Sequence, residues 1–554
     1  MMKKLLLIII TTNCLLLHSQ QFNLTIKGSS TKEERIIDSI SYAKKHKNIP
    51  SILATIKKLD STLSKIGFIE YSLKNQIKIN DSTFNYTYYL GDKVNYVDII
   101  TNNTSTATKN ILQITKDTIT LPFSQVENWI LNQLQLLEKK GYSLAKIKLT
   151  NQTKRKNKLI SNLDIQLNSK RKTDALIILG YDKFPKNFKN QITKKTKNKV
   201  FNQELVSTIY DDFNALKFVT QIKYPEILFT EDKTNIYAYL NKSKPNKFDG
   251  YIGFSNDEDQ KITFNGYLDL ILINTLNSGE KFKIFWKNDG NEQTLFNLGV
   301  EMPFLFKTPL GIKTELNIFK QDSTFQNSKI DVNLGYSFSF NKRAYIGIQK
   351  TNSVDIQNTN SQSLSNFKNQ FYTATFQYTK NNTINPLLPD KTNLFIRFGL
   401  GNRTTSLEKK EQFFTELELS HLIDLNKKNT ISLKNNSYFL NSANFFTNEL
   451  YRFGGINSIR GFRENSLQAN IYSLLITEYR YSITPSFFIH SISDIGYFED
   501  KTTLSKEKLL GLGIGIELLT SNGLLHFVYS NGSTNNQNIE LSNSIIQISF
   551  KTNF

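Results

Sequence analysis

The chain has 554 residues, with 69 Lys+Arg against 48 Asp+Glu and a formal net charge of +21 at pH 7. This length exceeds that of a usual single domain, so several folding units or one very large unit are expected. The lysines are spread over the whole chain and no basic helix collects them, which argues against nucleic-acid binding and favours attraction to anionic lipid head groups.

The first twenty residues have the features of a secretory signal peptide. Two lysines precede an apolar run that starts at Leu5, and polar residues follow at 18–20. A lipoprotein signal that uses Cys14 is the alternative, but Cys14 lies inside the apolar run and no small residue follows it. Because Cys14 is the only cysteine, the mature chain is expected to have no disulfide, thiolate metal site or cysteine nucleophile.

Helix-like and strand-like patterns alternate over residues 22–244, and a weak repeat lies within them. Gly67-Phe68 and Gly141-Tyr142 each follow an amphipathic helix and precede a strand, 74 residues apart. The repeat predicts three small α+β units, and a single irregular α+β domain is the alternative. The predicted boundaries are 21–91, 92–170 and 171–246. The predicted strands lie at 22–27, 68–74, 83–90, 94–101, 144–150, 159–167, 175–180, 218–224 and 234–240, and the predicted helices at 32–45, 51–65, 125–140 and 203–216.

From residue 247 to residue 554, alternation with period two replaces the helical periodicity. About sixteen segments alternate, and each is long enough for the ~9–11 residues of a tilted membrane-spanning strand. A soluble β-sandwich also alternates. The number of segments, together with 40 Phe and 25 Tyr, favours a transmembrane antiparallel β-barrel. After residue 20 no uninterrupted apolar run approaches the ~20 residues that a spanning helix needs, so a closed barrel is the structure expected in a membrane.

One glycine-rich stretch, residues 454–462, lies between two of these strand patterns. Glycines on both sides of Arg460 allow positive φ, so a loop there can hold the guanidinium in a fixed position. Only ten residues of the chain are arginine, and four of them lie within residues 452–480, where a planar, forked donor is expected to be needed. The stretch resembles the signature loop of the BamA/TamA-type outer-membrane assembly factors, a Gly-Gly pair followed by Val/Ile-Arg-Gly-Phe/Tyr. The matching residues here are Gly454, Gly455, Ile459, Arg460, Gly461 and Phe462.

The resemblance implies three further assignments. The α+β units correspond to the POTRA domains that precede the barrel in this family. The loop arginine is expected inside the barrel, against acidic residues of the two following strands, which here are Glu478 and Asp494. Both carboxylates should point inward, because a carboxylate that faces lipid is costly. The last strand, with Phe550 and Phe554, resembles the C-terminal recognition signal of outer-membrane barrel proteins.

No motif for catalysis, cofactor binding or metal binding is found. The patterns G-x-S-x-G, H-E-x-x-H and the P-loop do not occur, and the five histidines are scattered. Gly511, Gly513 and Gly515 lie in an alternating segment that no helix follows, so they predict a barrel strand with small residues on one face. The chain is therefore not expected to be an enzyme.

Fold and resemblance together imply an outer-membrane protein of a Gram-negative cell, with its N-terminal domains in the periplasm, that inserts or translocates other proteins. The expected partners are unfolded outer-membrane or exported client proteins, outer-membrane lipids, and periplasmic or lipoprotein accessory proteins. One alternative is a two-partner-type secretion pore that exports a dedicated substrate. A second alternative is a passive solute channel.

Overall fold

The computed structural model describes residues 21–256, 262–288, 293–358, 363–382, 388, 390–521 and 523–553. The predicted signal peptide, residues 1–20, and the terminal Phe554 therefore lie outside the described residues. The chain forms two compact units. One comprises the residues up to Lys172 together with Val200–Glu204, and the other comprises Thr173–Lys199 and the chain from Leu205 onward.

The first unit begins with a four-stranded sheet covered by two helices. Its elements are β1 (Phe22–Gly28), α1 (Thr31–Ser39), β2 (Lys45–His46), α2 (Ile49–Ile66), β3 (Ser72–Asn80) and β4 (Thr83–Tyr89). The strand order is β2-β1-β4-β3, with β1 parallel and β3 antiparallel to β4. Helix α2 begins where the Asn48 side chain accepts a hydrogen bond from the Ser51 N–H (3.0 Å), and it ends at Gly67, whose φ of 106° suits glycine.

A second sheet of the same topology follows in this unit. Its elements are β5 (Tyr96–Ile100), α3 (Thr106–Leu112), β6 (Thr118–Pro122), α4 (Val126–Lys139), β7 (Lys146–Arg155) and β8 (Lys158–Gln166). The order is β6-β5-β8-β7, with β5 parallel and β7 antiparallel to β8. Apolar residues of the helices and sheet, among them Ile99 and Leu137, are fully buried between the two layers.

A third α+β sheet precedes the barrel. Its elements are β9 (Ala175–Leu179), α5 (Lys186–Thr196), α6 (Gln203–Asn214), β10 (Val219–Gln221), β11 (Glu226–Phe229) and β12 (Thr234–Lys242). Strand β12 pairs in parallel with β9 and antiparallel with β10 and β11. In all three sheets, therefore, the first strand is parallel to the last.

Several α+β elements differ from the sequence-based expectation. Helices α3 and α5 and strands β6 and β11 are not predicted, because they are short or polar; on α5 only Phe188 and Ile192 supply buried apolar side chains. Strand β3 starts at Ser72 rather than at residue 68, since Phe68 is buried directly after α2. Every residue of β3 is exposed, so no alternation marks it. The helix predicted at 32–45 ends at Ser39.

The remaining chain forms a closed antiparallel barrel of sixteen strands, as predicted. Its strands are β13 (Lys247–Asn256), β14 (Ile262–Ile273), β15 (Lys281–Asn288), β16 (Gln293–Met302), β17 (Leu310–Gln321), β18 (Phe325–Ser339), β19 (Lys342–Asp355), β20 (Phe367–Asn381), β21 (Asp390–Thr404), β22 (Lys409–Asp424), β23 (Asn429–Asn441), β26 (Ile471–Thr484), β27 (Phe487–Asp500), β28 (Ser505–Leu519), β29 (Leu524–Ser533) and β30 (Ile545–Asn553). Two short strands, β24 (Tyr451–Phe453) and β25 (Leu467–Ala469), lie in the connection between β23 and β26.

The two faces of the barrel wall have opposite polarity. On β18, Ile330, Val332 and Leu334 are 52%, 48% and 47% exposed, whereas the alternating Asp331 and Asn333 are buried. Apolar side chains thus face outward and polar ones face the lumen, which suits a barrel surrounded by lipid and not a soluble sandwich with an apolar interior. None of the helices in the described ranges is long and apolar enough to cross a bilayer.

The seam between the first and last strands is short. Strand β13 pairs with β14 along its whole length. With β30, the pairs among the described residues are Lys247 with Asn553 and Phe248 with Thr552. Most of the facing edges of β13 and β30 therefore lack the ladder of hydrogen bonds that joins other neighbouring strands of the wall.

An aromatic cluster joins α5 to two turns at one end of the barrel. The Phe188 ring lies 4.7 Å from that of Phe304 and 5.3 Å from that of Phe340, between ring centroids. All three rings are buried. Gly279 makes room for this contact, because a Cβ there would lie 2.0 Å from Phe188 Cε2. Helix α5, which belongs to the third α+β sheet, is therefore packed against the barrel turns through this buried aromatic cluster.

Replacing Phe188 by Ala is expected to release α5 from the barrel turns while the barrel stays folded. Loss of a buried phenylalanine ring costs about 3–5 kcal/mol, so amide hydrogen exchange in α5 should accelerate on the order of a hundredfold or more. Hydrogen exchange read by mass spectrometry on the full-length protein measures this. The matched control is Phe306→Ala, since that ring is in the same turn as Phe304 but is 92% exposed. Equal exchange in the two variants would contradict the proposed role of the cluster.

Candidate functional site

The connection between β23 and β26, residues 442–470, folds into the barrel lumen. Strands β24 and β25 pair with each other, and Phe453 and Ile459 are buried against the wall. Their partners on the wall include Tyr472 and Leu474 of β26, which are buried, whereas Leu475, between strand neighbours of this kind, is exposed on the outer face. The loop therefore packs on the inner face of the wall. We call residues 442–470 the lumen loop.

Glycines let the lumen loop approach the wall closely. Gly454, Gly455 and Gly461 have φ of 113°, 94° and 87°. At Gly461 a Cβ would lie 2.3 Å from the Asn531 carbonyl carbon of β29. At Gly511 of β28 a Cβ would lie 2.3 Å from the Arg460 carbonyl oxygen. Glycine is therefore needed at 461 in the loop and at 511 in the wall, because any side chain there would collide with the facing backbone.

Arg460 is held by carboxylates from two neighbouring strands. Its Nε donates to Asp494 Oδ2 at 2.8 Å and its Nη2 donates to Asp494 Oδ1 at 2.6 Å, a bidentate pair. The Arg460 backbone N–H also donates to Asp494 Oδ2, at 3.1 Å. Nη1 contacts Glu478 Oε1. Arg460 is 3% exposed and Asp494 is fully buried, so this ion pair is shielded from water.

Glu478 links Arg460 to a second arginine. Its Oε2 accepts a hydrogen bond from Arg480 Nε at 2.6 Å. Of the four arginines that the sequence groups together, only Arg460 and Arg480 contact Glu478. Arg452 lies over the rings of Phe319 and Phe325 instead, and Arg463 is exposed.

The other predicted site residues occupy different places. Phe462 is partly buried against the cluster that contains Ile459. Phe550 is 42% exposed and shares the outward face of β30 with Ile546 and Ile548. Phe554 lies outside the described residues. The arrangement therefore separates the loop motif, which is inside the barrel, from Phe550, which faces outward.

A second buried ion pair holds the lumen loop and is missed by the sequence analysis. Arg403 of β21 contacts Glu449 of the loop, and their side chains are 0% and 2% exposed. Arg403 also donates to the Asn444 carbonyl at 3.1 Å. No local motif marks this pair, but the rarity of arginine in the chain is a signal that could have identified Arg403.

Chemically, the lumen loop offers fixed charges and apolar packing. Three arginine–carboxylate contacts join the loop to β21, β26 and β27. These contacts fix where the loop lies against the wall.

Neither a protein-family model nor a curated protein sequence matches the chain. Among solved structures, CdiB from Escherichia coli is 11% identical, with a TM-score of 0.53, over 90% of this chain and 97% of that chain. CdiB from Acinetobacter baumannii is 12% identical, with a TM-score of 0.52, over 90% and 97%. BamA from Haemophilus ducreyi lacking POTRA domains 1-3 is 14% identical, with a TM-score of 0.47, over 82% and 99%. At these identities the two CdiB structures establish a shared fold, and the fold class predicted from the sequence is confirmed.

Replacing Arg460 by Ala is expected to destabilise the barrel strongly. The change leaves the Asp494 carboxylate buried without its partner, which costs about 3–5 kcal/mol in the free energy of unfolding. Guanidinium unfolding of the protein in detergent or lipid bilayers, followed by tryptophan fluorescence, measures the change. The control is Arg463→Ala, which removes an exposed arginine three residues away and should alter stability by less than about 0.5 kcal/mol. If both variants unfold at the wild-type denaturant concentration, the ion pair does not stabilise the barrel.

Proposed function

We propose that this chain is an outer-membrane protein of the BamA/TamA type that assembles other proteins into the membrane or moves them across it. The observation that carries the proposal is an arginine loop of the family's pattern, fixed inside a sixteen-stranded barrel whose first and last strands are joined at two positions. In this proposal the domains are a signal peptide, three POTRA-like domains and the barrel, with boundaries 1–20, 21–91, 92–170, 171–246 and 247–554.

The N-terminal domains receive unfolded clients in the periplasm. Each α+β sheet has edge strands, and an extended client segment can add to such an edge through main-chain hydrogen bonds. Strand β3 is the most open of these edges, since all of its residues are exposed. Leu73, Ile77 and Ile79 on β3 are 44%, 49% and 57% exposed, which suits a client that alternates apolar and polar residues.

The seam between β13 and β30 then templates client strands. Because most of their edge groups are unpaired in the wall, opening the seam breaks few hydrogen bonds and exposes two strand edges at the level of the lipid. The lumen loop keeps the rest of the wall in shape while the seam opens, since its arginine ion pairs reach β21, β26 and β27 and its Glu464 pairs with Lys287 of β15. Among the described residues, none of its ion pairs reaches β13 or β30. The mechanism is physical and needs no covalent step, so we propose a function without enzyme activity.

A two-partner-type secretion pore is the second candidate, and the fold fits it equally well. Such a pore threads a dedicated substrate through the lumen, so it does not require the seam to open. A passive solute channel is less suitable, because a channel has no use for three α+β domains ahead of the barrel. Opening of the seam therefore separates the two protein-handling functions.

Locking the seam with a disulfide is expected to abolish client insertion. Phe248 and Thr552 are directly opposite each other across the seam, where Cα atoms are about 4.5–5.5 Å apart and within the range of a disulfide. The double variant Phe248→Cys, Thr552→Cys should lose insertion of a barrel client into proteoliposomes when oxidised, and regain it with reductant. The one native cysteine, Cys14, lies in the predicted signal peptide, so no native thiol is expected to compete for the engineered disulfide.

The matched control is a disulfide between Tyr372→Cys and Leu400→Cys, which are opposite each other on β20 and β21, away from the seam. That variant should insert clients at the wild-type rate in both redox states. Full insertion by the oxidised seam variant would contradict the templating mechanism. Retained export of a dedicated surface protein by the same locked barrel would favour the secretion pore.

A further inference from the structure

Three neighbouring strands place one metal-binding side chain each on the lumen face of the wall. These residues are His490 of β27, Glu517 of β28 and His526 of β29. Glu517 is directly opposite His526 in the strand register, and His490 is opposite Gly515, two residues before Glu517 on the same face. The two imidazoles and the carboxylate have ligand atoms that all lie within 4.8 Å of one another.

The His490 imidazole has no hydrogen bond that explains its burial. The residue is 4% exposed, and neither Nδ1 nor Nε2 has a hydrogen-bond partner among the described residues. The carboxylate oxygen Glu478 Oε2 lies 3.8 Å from His490 Nδ1, too far for a hydrogen bond but close enough to orient the ring. Buried polar groups are normally satisfied, so an unsatisfied imidazole in a group of ligands indicates a missing partner.

The wall is shaped to admit this imidazole. At Gly515 a Cβ would lie 2.2 Å from His490 Nε2 and 2.5 Å from its Cε1, so the ring lies directly over the glycine. This position brings the His490 ring to 6.0 Å from the His526 ring, between centroids. A residue with a side chain at 515 would push the imidazole away from Glu517 and His526.

We propose that His490, Glu517 and His526 bind one divalent transition-metal ion of the zinc type in the barrel lumen. Two imidazoles and one carboxylate form a set that Zn²⁺ takes in proteins, with a fourth position left for water. Tetrahedral Zn²⁺ with ligands at about 2.0–2.1 Å needs ligand atoms about 3.3 Å apart, so modest side-chain movements from the present separations close the site.

The ion would act on the part of the barrel next to the seam. It would cross-link β27, β28 and β29, and β29 is the strand that pairs with β30. Glu478 connects the site to the lumen loop, because the same carboxylate contacts Arg460 and Arg480 and faces His490. Metal binding is thus expected to stabilise the wall on the side of the lumen loop, whichever protein-handling function the barrel has.

The test is Zn²⁺ binding to the full-length protein, purified in detergent without a polyhistidine tag and stripped with a chelator. Competition with a zinc indicator should show one Zn²⁺ per chain. E517Q and H526Q should weaken binding by a factor of about 100 or more, because even groups that only orient a metal's ligands contribute about 10–100-fold in affinity. The control H421Q removes an outward, exposed histidine of β22 and should leave the affinity unchanged. Heat-dependent gel migration shows that each variant is a folded barrel.

A second measurement uses the wild-type protein alone and so does not depend on how the variants fold. Co²⁺ in place of Zn²⁺ should give the intense visible absorption of a four-coordinate site, and Zn²⁺ should abolish it by displacement. The proposal is overturned if the wild-type chain shows no saturable Zn²⁺ binding, if E517Q and H526Q bind Zn²⁺ as the wild type does, or if bound Co²⁺ has the weak spectrum of a six-coordinate ion.

Discussion

The bidentate contact of Arg460 with Asp494 is the interaction on which the rest of the site depends. A guanidinium withdrawn from water needs carboxylates in fixed positions, and Asp494 and Glu478 supply them from β27 and β26. For the arginine to reach them, the loop backbone must touch the wall, which requires glycine at 461 and at 511. Loop sequence, wall sequence and strand register therefore constrain one another. A change in any of them that moves the loop backbone away from the wall also breaks the contacts of Arg460 with its carboxylates.

The barrel could be predicted from the sequence because lipid imposes a simple rule on its wall. Outward positions such as Ile330 and Val332 must be apolar while their neighbours face a polar lumen, and that alternation is visible residue by residue. The α+β sheets obey no such rule. Strand β3 is exposed on both faces, and α5 buries few apolar side chains, so neither leaves a periodic signal. Packing against the rest of the chain decides those elements.

The site residues could be predicted only where a local motif, or the alternation of inward and outward side chains along a strand, was enough to place them. Arg460 is marked by its glycines, and the inward direction of Glu478 and Asp494 follows from alternation and the family resemblance. The contact of Arg403 with Glu449, and the group formed by His490, Glu517 and His526, depend on which residues of distant strands lie opposite each other. Alternation fixes the face on which a side chain lies but not its register, so scattered residues of this kind become a site only in the folded barrel.

We propose the first of the two candidate functions, assembly of many membrane proteins through the seam, over export of one substrate. It is tested most directly by a quantitative outer-membrane proteome of the native host, measured as this protein is depleted. We expect a broad fall in the abundance of many β-barrel proteins, because all of them would use the same seam. Loss of one or a few surface proteins, with the other barrels at normal levels, would contradict it.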